Sequence, residues 1–400
     1  MSALVWVLAP AGLLLPAVMA ELLARWWLRH RSRYYVFPPG LRLLLRPDRA
    51  VFPQLEPSIR FEINREGERG GELPRLRRGE TLCRILVAGG SQPEGYMLDQ
   101  DTSWPGALQR LLEKPSHPPR LGASRVHVGS IARSGVGSEA LGLILERVLA
   151  RYPRLHAIVI LVGASDVLRW LEEGAPPSPP SPPRTAEVFR CHPEPTYGWK
   201  PRELALFELI LRLRRRWLRP VDVHERAGGW IGRVRAMRAG AKVIRTTMPD
   251  PGPMLNHFDH HFRRVLWKAK GHADRVLVVR QPWFDKDCTP EEATQMWHGG
   301  AGQAWRQEVT TYYSLGVLSR LMALLDDRAA GVAEELGVEQ LDLRPVLEPS
   351  LENYYDFFHA TPAGARIVAE AVAAAIREPS SASAARSAAG CSPRRAARAS

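Results

Sequence analysis

Ile85-Leu86-Val87-Ala88-Gly89-Gly90-Ser91-Gln92-Pro93-Glu94-Gly95 is the stretch on which the fold turns: four apolar residues that read as a buried strand run straight into two glycines and a serine. A strand end of that composition can cradle a phosphate, expose a nucleophile or simply turn the chain. The phosphate reading fails, because no Gly-Lys-Ser/Thr follows.

Working outward, apolar runs recur at 126–128, 157–162, 243–246 and 276–279, and helical patterns fill 104–113, 139–151, 255–270 and 303–336. Short β-branched runs alternating with amphipathic helices predict an α/β domain, a doubly wound parallel sheet in three layers. Ser103 before Trp104-Pro105 and Thr361 before Pro362 read as helix N-caps. The last helix carries Ile367, Val368, Ala371, Val372, Ala375 and Ile376 at core-facing spacing.

At 400 residues and 45% hydrophobic content the chain can fill a large core. Its net charge of +13 gathers in 25–33, 202–219 and the last fifteen or so residues rather than on one face, and no base-reading or stacking motif accompanies it, so no nucleic-acid partner is expected. Arg212, Arg214, Arg215 and Arg216 interleave with Leu209, Leu211, Leu213 and Trp217, a pattern that suits a solvated helix or one lying on anionic headgroups. The cysteines, Cys83, Cys191, Cys288 and Cys391, lack metal or disulfide-framework spacing.

Residues 3–20 carry no charge over about the length that crosses a bilayer. Small residues at Ala17 and Ala20 admit a cleaved signal peptide, but no basic segment precedes the apolar run. The arginines that follow favour a single-pass anchor with the globular part on the cytoplasmic side. The expected organisation is therefore an anchor over 1–24, a basic, proline-containing juxtamembrane segment over 25–80, and a domain over 81–378. An insertion over 174–240 opens with Pro-Pro-Ser-Pro-Pro-Ser-Pro-Pro, and 379–400 forms a disordered basic tail.

In a doubly wound sheet the reacting groups lie at the carboxyl ends of the strands. Four segments meet that description. Ser91 follows the first strand, Gly135 and Gly137 the second, Gly163-Ala164-Ser165-Asp166 the third, and Asp356 and His359 precede the last helix. A serine, a histidine and an acid on separate loops of one rim are the parts of an acyl-transfer site. The nucleophile elbow of α/β-hydrolases wants glycine two places after the serine; Pro93 stands there and disfavours that fold.

In these blocks the chain resembles the SGNH, or GDSL-type, hydrolase superfamily. Residues 86–95 look like its nucleophile block in a Gly-Gly-Ser variant, Ala132-Arg133-Ser134-Gly135-Val136-Gly137-Ser138 like the second block, 162–166 like the third, and Asp356-Phe357-Phe358-His359 like the closing Asp-x-x-His. Phe61 to Gly70 resembles a segment upstream of the domain in membrane-anchored bacterial members. The resemblance implies a Ser91, His359, Asp356 triad and an oxyanion hole from the N–H groups of Ser91 and Gly135. It departs at Ser165, where the family carries an asparagine that donates to the oxyanion.

The implied activity is a metal- and cofactor-free serine esterase that cleaves an O-acyl ester of a lipid or glycan through an acyl-enzyme. An O-acyltransferase acting on a glycan shares that intermediate. A catalytically impaired scaffold or carbohydrate-binding protein, and a basic surface-binding protein, are the readings outside enzymology. His257 and His261 stand at i and i+4, a metal-compatible spacing with no third ligand evident in the sequence.

Overall fold

The structure, a computed structural model, describes residues 2–113, 123–178, 180–217 and 222–378; of 2–13, 216, 217 and 222 it describes the backbone alone. Among the described residues the strands are β1 (Arg42–Pro47), β2 (Ile59–Glu62), β3 (Leu82–Gly89), β4 (Arg125–Ser130), β5 (Leu155–Leu161), β6 (Asp222–Ala227), β7 (Val243–Arg245), β8 (Ala273–Val279), β9 (Thr311–Tyr313) and β10 (Glu339–Leu341).

The central sheet is five-stranded and parallel, in the order β10-β8-β5-β3-β4. Counted along the chain, its strands lie in the flavodoxin-like order 2-1-3-4-5. The first crossover leaves β3 in one direction and the second returns past it to β5, so the carboxyl ends of β3 and β5 flank the point where the winding reverses. Their side chains are buried almost throughout, as both-face coverage requires. The helices Trp104–Glu113 and Pro362–Arg377 pack together on one face; Ser138–Val148, Gly252–His272 and Leu315–Glu335 pack together on the other. The expected α/β sandwich of three layers is present.

Two expectations about strands need correction. The run at 243–246 is not a central strand: β7 pairs with β9 in a separate two-stranded sheet and is exposed along its length, from Val243 to its last residue, Arg245. The fifth central strand is β10, whose Glu-Gln-Leu composition carries no apolar signal. The helical pattern from 303 begins only at Leu315, where Ser314 caps it by accepting from the N–H of Val317.

Much of 25–80 is built into the domain. Val36, Phe37, Phe52, Leu55, Phe61 and Ile63 join the main core, and β1 pairs with β2 on one side and with β6, from the insertion, on the other. Ahead of it Ser2–Arg31 forms one helix of 30 residues. Among the described residues no helix is long and apolar enough to cross a membrane; eleven of the eighteen positions of the anticipated span, 3–13, have backbone described but no side chains. The anticipated tail, 379–400, lies outside the described residues.

Candidate active site

The local chemistry of β3's end explains its two glycines. Gly89 holds φ at +154°, and a Cβ there would stand 1.8 Å from the carbonyl oxygen of Leu161 on β5, so only glycine lets the strands stay paired while the chain turns. Gly90 donates to that same carbonyl at 3.1 Å. The helix Ser91–Glu94 starts immediately, with Ser91 at its first position.

Asp356 and His359 sit on the loop before the last helix, which Thr361 caps by accepting from Gly364 N–H. His359 Nε2 lies 2.7 Å from Ser91 Oγ. Its Nδ1 lies 2.8 Å from Asp356 Oδ2 and 2.9 Å from Oδ1. The Asp356 carboxylate is wholly buried and is held by further donors: the N–H groups of Phe358 and His359, each at 2.9 Å to Oδ1, and the indole N–H of Trp297, at 2.9 Å to Oδ2. Nothing in the sequence Trp297-His298-Gly299-Gly300 foretells a bond to a residue 59 positions on.

The electrostatics follow from this geometry. Burial would raise the Asp356 pKa, but the imidazoles of His359 and His298 and the donors above outweigh it and hold the group below the usual carboxylate range. Burial pulls His359 down; the carboxylate against Nδ1 wins and leaves its pKa raised. Tyr355 stacks on the His359 ring at 5.4 Å with an interplanar angle of 8°. His298, stacked on Trp297 and fully enclosed, is pushed down to about 3 by burial, so it is neutral.

The glycine and serine of the other two blocks are tied to the same place. Gly135 adopts φ +76° in an open turn, and Ser134 beside it donates its N–H to Glu94 Oε2 at 2.8 Å, with its hydroxyl on the same oxygen. That joins the second block to the nucleophile helix. Among the described residues the N–H groups of Ser91 and Gly135 have no acceptor. A side chain on Gly90 would come within 3.3 Å of Val136 O and 3.8 Å of Ser165 Oγ, so all three blocks face one another. Asp166, beside Ser165, accepts from Ser138 N–H at 3.0 Å and from Ser138 Oγ at 2.6 Å, which fixes the third block against the second.

Beneath the nucleophile helix lies Arg69, from the 61–70 segment. Its guanidinium donates to the carbonyls of Gly95 at 2.8 Å and Leu98 at 2.7 Å, and to that of Glu94, while its backbone pairs with Ser130 at the end of β4. Neighbouring Glu68 is buried with Arg84 at 2.8 Å, His127 at 2.9 Å and Asn64 at 3.0 Å. Burial opposes its charge, yet these partners bring its pKa down to about 2.

No family model matches the chain, and no curated protein matches it. Among solved structures it aligns with an acetylxylan esterase from Geobacillus stearothermophilus at 13% identity, over 75% of this chain and 95% of that one, with a TM-score of 0.39. It also aligns with a member of the lipolytic G-D-S-L family from Veillonella parvula (10% identity, 73% and 96% covered, TM-score 0.38). A third is an α/β hydrolase from the metagenome of Lake Arreo, Spain (12%, 74% and 95%, 0.39). Likeness of that order adds nothing to the strand order and the contacts above.

Proposed function

We propose that this chain is a serine ester hydrolase of the SGNH type. The supporting observation is the unbroken run of contacts from Ser91 Oγ through both nitrogens of His359 to buried Asp356. In this reading Ser91 attacks the ester carbonyl as His359 Nε2 takes its proton. The imidazolium so formed is stabilised by Asp356 and returns the proton to the leaving alcohol; water then repeats the sequence on the acyl-enzyme. The free N–H groups of Ser91 and Gly135, with the Ser165 hydroxyl, receive the negative charge on the carbonyl oxygen.

The substrate is an O-acyl ester of a lipid or glycan. The helix Ser2–Arg31 exposes Leu14, Leu15, Leu22, Leu23, Trp26 and Trp27, a surface that suits contact with a bilayer. A fluorophosphonate probe tests the reading: the wild-type chain labels, with the adduct mapping to Ser91, and Ser91→Ala does not. A folded wild-type chain that fails to label would sink it. Turnover that rises only when a glycan acceptor is added would redirect the reading to acyl transfer.

A further inference from the structure

The sequence sets His257 and His261 one helical turn apart and shows no third partner for them; the fold supplies one. Glu139 stands on the helix Ser138–Val148, which packs across Gly252–His272. Its Oε2 lies 3.4 Å from His257 Nε2 and its Oε1 lies 3.9 Å from His261 Nε2, with the two imidazole centroids 4.4 Å apart. One ligand atom from each of the three falls within 4.8 Å of the others. We propose that Glu139, His257 and His261 hold a zinc ion.

The distances suit the ion. Tetrahedral zinc bound to nitrogen and oxygen at about 2.0–2.1 Å sets adjacent ligand atoms about 3.3 Å apart. The Glu139 to His257 separation already matches that edge, and the others close with small side-chain rotations. Two imidazoles and one carboxylate form the donor set of an open zinc site, with the fourth position left to water. A cavity of about 40 Å³ adjoins Glu139 and His257, with Ser165, Asp166 and Arg169 also on its wall, and has room for such a water.

The charges agree with the geometry. One carboxylate faces two rings, and a single dication satisfies all three groups. The side chains are 14–22% exposed, sheltered yet reachable from solvent. The ion would cross-link two helices directly behind Ser138, whose N–H and hydroxyl hold Asp166. None of this depends on the esterase reading.

The test uses the full chain without an affinity tag, in neutral detergent, stripped with chelator and dialysed against Zn²⁺ or, as a spectroscopic stand-in, Co²⁺. The expected result is one metal per chain, a visible Co²⁺ spectrum of tetrahedral type, and a thermal midpoint that rises with Zn²⁺. Glu139→Gln and His261→Ala should each weaken binding by about 100-fold or more, whereas His260→Ala, altering the exposed neighbour, should bind as the wild type does. Circular dichroism checks that each variant folds. A wild-type chain that stays metal-free at micromolar Zn²⁺ overturns the proposal; so does unchanged binding by Glu139→Gln together with His261→Ala.

Discussion

Oδ2 of Asp356 accepts from two side chains at once, the indole N–H of Trp297 at 2.9 Å and Nδ1 of His359 at 2.8 Å. A carboxylate with no exposure must replace its hydration entirely with such donors. Trp297→Phe keeps the packing and removes one donor. It should lower stability by about 1.5–3 kcal/mol, the range for hydrogen bonds to charged groups, and lower kcat more than it raises KM. Urea unfolding and ester turnover measure the two effects.

Asp356→Asn keeps the shape and removes the charge that orients and stabilises the imidazole. Under the triad reading kcat should fall by roughly 10⁴-fold while the chain stays folded. A drop of less than about tenfold would show that Asp356 serves the loop rather than the chemistry.

The pH dependence follows from His359. Its folded pKa lies above the ordinary imidazole value of about 6.5, and under the triad reading the base must be neutral, so the labelling rate should rise with pH through a midpoint above that value. Asp356→Asn should move the midpoint down. For stability the signs are opposite: the raised His359 stabilises the fold below its unfolded pKa and loses that contribution as pH rises through the folded one. The lowered Asp356 stabilises above about pH 4 and loses its contribution as pH falls.

Ser165 stands where the resembled family has asparagine. Ser165→Ala should reduce kcat by up to about 100-fold with little change in KM if the hydroxyl serves the oxyanion, and Ser165→Asn should equal or exceed the wild type. Steady-state kinetics on a short-chain ester separate the outcomes.

Gly89→Ala asks for a side chain 1.8 Å from Leu161 O at a φ of +154°. The central sheet must part locally, and a loss of more than about 3 kcal/mol is expected. Soluble yield and thermal unfolding report it.

The parallel sheet was legible because β3, β5 and β8 carry unbroken apolar runs, and the meeting of Ser91, His359 and Asp356 followed from placing them at strand ends. β10 was not, since Glu339 and Gln340 give a strand held by its neighbour no pattern of its own. Trp297, Glu94 and Arg69 act through bonds between segments distant in sequence, and a single chain of letters records no such pairing. Glu139 escaped for the same reason: it lies over a hundred residues from the histidines it faces.

Composition suggested that the domain opens near residue 81, yet Arg69 grips three carbonyls under the nucleophile turn and Phe52 and Phe61 sit in the core. A chain begun at Thr81 would therefore lack the floor beneath Ser91 and its short helix. Only three residues separate the long leading helix from Tyr35, which bridges to Cys191 in the body. Three residues reach at most about 10 Å, so the carboxyl end of that helix stays within a short tether of the body.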